Sequence, residues 1–408
     1  MTLTKVYSIL YIILIMVSFF IYIIKAYILM FPNLSYLVSL LIIFIFSFYI
    51  FNYIKIKKIF VKILFYMLLI LIYAIASILW SIDKERTILY SFVQLIIVMS
   101  TFVIPLLLIQ SNLIFQKLNY QYFLKIINYL VILYLLISWF LFYITYGNDF
   151  SVRFGGLYNN ANIVGNIIFI FLLSLRVYGT YFKTKYLMYC IVLIMLIMTQ
   201  SRNLLIGYFI FESIYFYLKG NKKQLILILI TLLPIIIVLN TIRMSNYERD
   251  YGTSQDDISG KVITRPLIWL SAYNFVHTHN MIVLGSGYET DKKVIKNTIV
   301  GKLWVKQTNN NDATSSVHSS VFKYFITGGI IGLLLFILLI YSLIQFFHKY
   351  SKEYITLKSL GIAFVIAPVV TDIFNVNFWG AFGLPTTLYF VYLLFLMHIV
   401  YFNKKGHI

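Results

Sequence analysis

The sequence predicts an all-α integral membrane helical bundle with about 12 transmembrane helices and one large extracytoplasmic loop between helices 9 and 10. Of the 408 residues, 61% are hydrophobic and only 11% are charged, whereas soluble domains are about 45–50% apolar and about 25% charged. The apolar residues also form continuous runs, such as residues 59–80, that reach the ~20 residues needed to span hydrocarbon. Lipid must therefore be the main solvent of this chain.

The helices are predicted from apolar runs that polar or charged residues interrupt. The first six lie near residues 6–29, 34–54, 59–80, 88–110, 122–146 and 160–178. The other six lie near residues 185–200, 203–218, 223–242, 318–347, 355–374 and 380–402. We assign all of them to a single membrane domain that covers residues 1–408.

The distribution of basic residues predicts which side of the membrane each loop faces. With both termini in the cytoplasm, the inside segments carry 18 of the 33 Lys and Arg residues, and the short outside segments carry five. This asymmetry follows the positive-inside rule, from which long loops are largely exempt. We therefore expect a multi-pass protein of the inner or plasma membrane, with both termini cytoplasmic. The net charge of +20 forms no separate basic stripe, which argues against a nucleic-acid partner.

The long segment over residues 243–317 is predicted to lie outside the membrane. Within it, Thr264 and Pro266 have the residue types of a capping position and a first helical turn, and an apolar stretch with Trp269 follows. We therefore expect a helix that starts near residue 265 and lies at the membrane interface.

Two polar segments on the predicted outer face carry an arginine that could bind an anion. Arg153 is followed by two glycines and leads, through Asn159 and Asn162, into the sixth helix, where glycines permit close backbone approach and a helix N-terminus favours anions. Ser201 and Arg202 lie in the short turn between helices 7 and 8, where an arginine is costly unless it faces protein, water or phosphate. The alternatives are an ordinary loop with a capping Asn and an Arg that snorkels to the interface.

The loop helix and the tenth helix supply a further arginine and a histidine. Arg265 begins the loop helix, and a guanidinium can hold phosphate oxygens in a bidentate fork. His318, followed by Ser319, opens the tenth helix, and an imidazole with a near-neutral pKa can take a proton from an attacking hydroxyl. The alternative is a structural interfacial histidine. The glycines of residues 327–332 are expected to let neighbouring helices pack closely.

In this order, the motifs resemble those of the O-antigen ligase and O-antigen polymerase family of membrane glycosyltransferases. The family has about a dozen helices, a large outer loop late in the chain, and a His, an Asn, Ser or Arg, nine residues and then Gly-x-x-Gly. The matching residues are His318-Ser319 with Gly329-Ile330-Ile331-Gly332, Ser201-Arg202, Arg265 with Trp269, and Gly285-Ser286-Gly287. The resemblance covers the chain from about Arg153 to Gly332.

The resemblance implies transfer of a glycan from a polyprenyl-diphosphate-linked oligosaccharide donor to a sugar acceptor, with no metal and no cofactor. Arg202, Arg153 and Arg265 would hold the diphosphate, and His318 would be the general base, so that His318 and Arg265 are the predicted catalytic residues. Supporting residues are predicted at Asn159, Asn162, Ser201, Trp269 and Ser319. Membrane lipid, a chain-length regulator and a flippase are the further partners we expect.

Three functions follow from these observations. The first Arg of the ligase family's Arg-x-Arg is absent at Thr199-Gln200-Ser201-Arg202. This difference favours a polymerase of surface polysaccharide, which would be an O-antigen or a capsule. The alternative is an O-antigen ligase, which transfers lipid-linked glycan to lipid A core. A transporter or flippase of lipid-linked oligosaccharide is the alternative of another class. Glu212, the clearest acidic residue inside a span, would serve such a transporter.

Overall fold

A computed structural model describes residues 58–99, 102, 120–147, 154–155, 161–178, 185–228, 230, 265–302, 317, 319–350, 354–373 and 384–403. Over these ranges the regular structure is helical, and they contain no strand. This confirms the all-α class. The predicted helices near residues 6–29 and 34–54 lie outside the described residues, so the count of twelve stays a prediction.

We number the helices of the described residues in chain order. They are α1 Lys58–Ala76, α2 Lys84–Val98, α3 Tyr120–Tyr146, α4 Ala161–Tyr178, α5 Lys185–Met198, α6 Arg202–Leu218, α7 Arg265–Thr278, α8 Asp291–Asn297, α9 Ser320–Tyr350, α10 Ile355–Ile373 and α11 Leu384–Asn403. Residues 222–228 are also helical. Helix α2 begins four residues before its predicted start at residue 88, because the Asp83 side chain accepts the Arg86 backbone N–H at 3.3 Å and caps the helix.

Four of the described helices are long and apolar enough to cross a membrane. They cover Phe60–Leu79, Ile126–Tyr146, Ser320–Lys349 and Ile355–Ile373. Three shorter apolar helices cover Ala161–Arg176, Tyr186–Met198 and Leu388–Tyr401. Together they fit a multi-pass membrane protein.

Helices α1 and α9 pack side by side and antiparallel. Near one end of the pair, Lys62 Nζ donates to Gln345 Oε1 at 2.8 Å. Near the other end, the Tyr73 hydroxyl lies 3.0 Å from the Gly328 carbonyl oxygen. The end of α1 predicted to lie inside therefore adjoins the end of α9 predicted to lie inside. Helix α10 packs against both α9 and α6, and α11 packs against α4.

The helices of the large loop form a small core of their own against the start of α9. Helices α7 and α8 pack on each other and on α9. The buried side chains of this core, which we call the outer cluster, are Ile268, Ala272, Val276, Val294, Ile295, Val300, Val317 and Ile326. Because Val317 and Ile326 belong to it, the outer cluster joins the loop to the tenth predicted span.

Candidate functional site

The loop segment over residues 282–287 inserts its backbone into a break in helix α9. Gly329 has φ 61° and ψ −162°, so the helix is interrupted there. In an unbroken helix, Ile330 and Ile331 would donate to Ile326 and Thr327. The loop replaces those two hydrogen bonds by four others: Ser286 N–H to Ile326 at 2.9 Å, Gly287 N–H to Thr327 at 3.0 Å, Ile330 N–H to Ile282 at 2.9 Å and Ile331 N–H to Val283 at 3.4 Å. All four acceptors are backbone carbonyl oxygens.

Glycine is required on both sides of this junction. Gly285 has φ +72°, and a Cβ there would lie 2.4 Å from the Thr327 carbonyl group. A Cβ on Gly329 would lie 2.2 Å from the Val283 carbonyl oxygen. The expectation that these glycines serve helix–helix packing is therefore wrong for Gly329. Its conformation admits loop backbone, so the Gly285-Ser286-Gly287 segment of the loop binds the broken turn of α9 at Gly329.

Aromatic side chains of the first described span complete the junction. The Tyr73 hydroxyl lies 3.0 Å from the Leu284 and Gly328 carbonyl oxygens, and the Trp80 indole donates to Leu284 at 3.0 Å. Non-helical backbone within a membrane is tolerated where protein groups satisfy its polar atoms. The adjoining cavity, lined by Tyr73, Tyr288 and neighbouring residues, has a volume of about 20 Å³. It has room for one water molecule and is too small for a sugar.

The residue before His318 is bound on both sides of its backbone. Val317 is fully buried. Its N–H donates to Asp291 Oδ2 at 3.2 Å, and its carbonyl accepts the Trp269 indole N–H at 2.7 Å. Asp291 begins α8 and Trp269 lies in α7, so both loop helices hold this residue. His318 itself lies outside the described residues.

The residues after His318 fix the start of α9. Ser319 accepts the Phe322 backbone N–H on its hydroxyl at 3.1 Å and so caps the helix. The Ser320 hydroxyl donates to Asp372 Oδ2, a fully buried carboxylate, at 2.7 Å. The positive end of this helix, which favours anions, thus follows directly after position 318.

Position 265 lies on the helix face that reaches Val317. Arg265 is the first residue of α7, and Trp269 follows it by one turn. Residues four apart on a helix are neighbours on one face. The contact between Trp269 and Val317 therefore brings the Arg265 end of α7 toward the His318 segment.

A buried ion-pair network supports the part of the loop just before Asp291. Lys323 Nζ lies 2.5 Å from Glu289 Oε1, and both side chains are about nine-tenths buried. The Arg86 guanidinium donates to the Glu289 backbone carbonyl at 2.7 Å, which ties α2 to the same loop. Burial raises the pKa of the Glu289 carboxyl above its ordinary value, and the Lys323 ammonium opposes that shift. A partly exposed pair, Asp83 with Lys293 at 3.3 Å, adds a second link to α2.

A second group of predicted residues meets where α4, α5 and α6 adjoin. Arg202 is the first residue of α6, after the cap position Ser201. The Phe154 N–H donates to the Met198 carbonyl at 3.0 Å, so the chain next to Arg153 touches the end of α5 just before this turn. Leu204 also lies close against Gly165 in α4, the helix that carries Asn162 in its first turn. Arg153 and Asn159 lie outside the described residues.

The C-terminal end of α10 links the two groups. Thr371 packs against Gly207 of α6 so closely that a Cβ on that glycine would lie 2.0 Å from the Thr371 methyl. The next residue, Asp372, binds Ser320 at the start of α9. The starts of α6 and α9 therefore lie at one end of the bundle. The side chains of Arg202, Ser201, Asn162, Trp269 and Ser319 are described; for Arg265, the structure gives the helix position.

The sequence motifs do not predict two of the carboxylates at this end, Asp372 and Asp291. Both are buried: Asp291 binds Val317, the residue before His318, and Asp372 binds Ser320, two residues after it. The signal for Asp372 was its place at the end of an apolar span, in a chain with only 13 acidic residues. Asp291 lies in a polar loop next to two lysines and carried no such signal.

This end of the bundle suits the binding of an anion. Two helix N-termini, α6 with Arg202 and α9 next to His318, begin there, and α7 brings the Arg265 end to the second of them. Among the described residues, no group of three His, Cys, Asp or Glu side chains could hold a metal ion.

Comparison with known proteins finds a family similarity over the same segment. No curated protein matches the chain. Residues 187–337 match the family model described as O-antigen ligase. The matched region runs from α5 into α9 and includes Arg202, Arg265, Trp269 and His318. Over residues 187–337, the match confirms the resemblance to the O-antigen ligase family that was drawn from the motifs.

Proposed function

We propose that the protein is a polymerase of surface polysaccharide that acts at the outer face of the membrane. The donor is an oligosaccharide on a polyprenyl diphosphate, and the acceptor is a sugar hydroxyl of another lipid-linked repeat unit. The observation that carries the proposal is the hydrogen bond between Trp269 and Val317, because it joins the helix that begins with Arg265 to the residue before His318.

The reaction is a single displacement. The acceptor oxygen forms a bond to the anomeric carbon, the bond from that carbon to the diphosphate oxygen breaks, and the polyprenyl diphosphate leaves with the electron pair. The acceptor proton passes to the His318 imidazole, which acts as general base. One displacement inverts the configuration at the sugar carbon.

Stabilising the leaving diphosphate is the main catalytic task, because negative charge grows on it as the bond breaks. We assign this role to Arg202 and Arg265, with Arg153 as a third cation. The start of α9 next to His318 adds the partial positive charge of a helix N-terminus. Guanidinium groups can supply this stabilisation without a metal ion.

An O-antigen ligase is the second candidate, and the description of the matching family model favours it. The two activities share the donor and the chemistry and differ in the acceptor, which is lipid A core sugar for a ligase. The divergent Thr199-Gln200-Ser201-Arg202 segment favours the polymerase.

The transporter alternative has less support, because Glu212 is engaged with protein groups. Its carboxylate lies 3.2 Å from Arg176 and accepts hydrogen bonds from the Tyr189 and Tyr208 hydroxyls. The Arg176 guanidinium also stacks over the Tyr215 ring, 4.8 Å from its centroid. This pair, in which Glu212 is buried and Arg176 is partly exposed, has a sufficient structural role between α4, α5 and α6.

The test uses purified protein in detergent with lipid-linked repeat units. A ladder of products supports the polymerase; a single transfer, obtained only with core sugar as the acceptor, supports the ligase instead. His318→Ala should abolish transfer. The matched control is His277→Ala, because His277 is an exposed histidine on α7 that stacks on Tyr273. Full product formation by His318→Ala would refute the catalytic assignment.

A further inference from the structure

Asp291 belongs to none of the sequence motifs described above. Its side chain is almost completely buried in the outer loop, at the first position of α8. Burying a carboxylate is costly unless it is hydrogen-bonded or paired. One of its oxygens accepts the Val317 N–H at 3.2 Å. This hydrogen bond therefore offsets part of the free-energy cost of burying the Asp291 carboxylate.

Val317 is held by two independent elements. Asp291 in α8 binds its N–H, and Trp269 in α7 binds its carbonyl. The Trp269 ring stacks on Phe322 with centroids 5.7 Å apart, and the Val317 side chain lies in the outer cluster. Two hydrogen bonds and a buried side chain leave the backbone at this residue little freedom.

The residues on both sides of position 318 are held in place. Ser319, on the far side of position 318, caps α9, and Ser320 binds Asp372. Both neighbours of position 318 are therefore fixed by hydrogen bonds that involve side chains.

We propose that Asp291 is a positioning residue that, together with Trp269, locks the backbone at Val317 and thereby orients the general base that follows it. This inference rests on the proposed function, since it acts through His318. A displacement of about 1 Å in a catalytic group can lower a rate about 100-fold. Loss of the Asp291 hydrogen bond should therefore lower turnover and leave the binding of the donor unchanged.

The test compares Asp291→Ala with Asp291→Asn in purified full-length protein, with kcat and KM measured for a polyprenyl-diphosphate-linked donor. Asn keeps a carbonyl oxygen that can accept the Val317 N–H, and Ala keeps none. We expect Asp291→Ala to lower kcat by about 10- to 100-fold with KM within twofold. Asp291→Asn should retain at least a third of the parent kcat.

Glu289→Gln is the matched control. Glu289 is a buried carboxylate two residues away that belongs to the same network and pairs with Lys323, but its described contacts do not include Val317. This variant should lower thermal stability and leave kcat of the folded protein unchanged. Should Asp291→Ala not fold, Trp269→Phe takes its place, because it removes the indole donor and keeps an aromatic ring against Phe322; we expect a kcat about 3- to 10-fold lower.

Four outcomes overturn the inference. For Asp291→Ala, they are a kcat within threefold of the parent, a rise in KM alone, or a loss of activity equal to that of Asp291→Asn. Where Trp269→Phe replaces Asp291→Ala, the fourth is a kcat equal to that of the parent. These results are distinct from failure of the proposed function. If His318→Ala abolishes transfer while Asp291→Ala does not lower it, the base remains and the positioning role is wrong. If His318→Ala retains full transfer, the proposed mechanism fails first.

Discussion

The Ser320 hydroxyl donates a hydrogen bond to the Asp372 carboxylate at 2.7 Å, between two fully buried side chains 52 residues apart in the sequence. This bond fixes the first turn of α9 to the last turn of α10. Since α10 also packs on α6, the bond connects the two helix starts of the candidate site.

Removing this hydroxyl should destabilise the protein. Ser320→Ala takes one hydrogen bond from a buried carboxylate, and bonds to charged groups contribute about 1.5–3 kcal/mol. We expect a lower midpoint of thermal unfolding in detergent. Ser342→Ala is the control, because among the described residues that buried hydroxyl bonds the Leu339 carbonyl of its own helix, at 2.7 Å, and no residue of another helix. An equal effect of the two substitutions would contradict the prediction.

Adjacent glycines in α9 should respond differently to alanine. Gly329→Ala forces a side chain onto φ +61° and into the Val283 carbonyl oxygen, whereas a Cβ on Gly328 would have its closest contact at 3.5 Å, with the Tyr73 ring. The backbone strain alone costs about 1–3 kcal/mol. We expect Gly329→Ala to reduce the yield of folded protein and to abolish transfer.

Gly328→Ala should fold and keep most of its activity, as judged by size-exclusion chromatography and the transfer assay. If both variants behave as the parent protein does, the loop does not depend on the break in α9.

For the described residues, the apolar runs predicted the helices well, because a span of about 20 apolar residues has few alternatives in lipid. The run at residues 122–146 corresponds to Tyr120–Tyr146, and Pro266 marked the start of the loop helix at Arg265. The junction of Gly329 with Val283 was not predicted. A glycine in an apolar run gives no sign of whether the backbone leaves the helix.

The sequence pattern also does not predict contacts between residues that are far apart in the chain. Asp291 and Val317 are 26 residues apart, and an Asp followed by two lysines in a polar loop reads as a solvated charge. Its acceptor role depends on where α7 and α8 pack against α9. The motifs located Arg265 and His318 as candidates, and tertiary packing determines which groups hold them.

The pair formed by Lys323 and Glu289 should show strong coupling. Lys323→Met leaves a buried carboxylate without its cation, which costs about 3–5 kcal/mol. Lys323→Met combined with Glu289→Leu removes both charges and should recover much of that loss. Thermal unfolding of the two single variants and the double variant measures the coupling, and additive effects would contradict it. Lys293→Ala, in the partly exposed pair with Asp83, should change stability by less than about 1 kcal/mol.

Glu212 provides the test that separates an enzyme from a transporter. Glu212→Gln removes the charge that faces Arg176 but keeps a carbonyl oxygen for the Tyr189 and Tyr208 hydroxyls. If the pair is structural, this variant unfolds at a lower temperature while transfer per folded molecule stays within about twofold of the parent, because the residue lies ten positions beyond Arg202 along α6. A transporter that coupled to this carboxylate would lose its activity outright, since the protonatable group would be absent. Reconstituted vesicles with lipid-linked repeats on one side provide the readout. Loss of translocation with an unchanged unfolding temperature would contradict the structural role and favour transport.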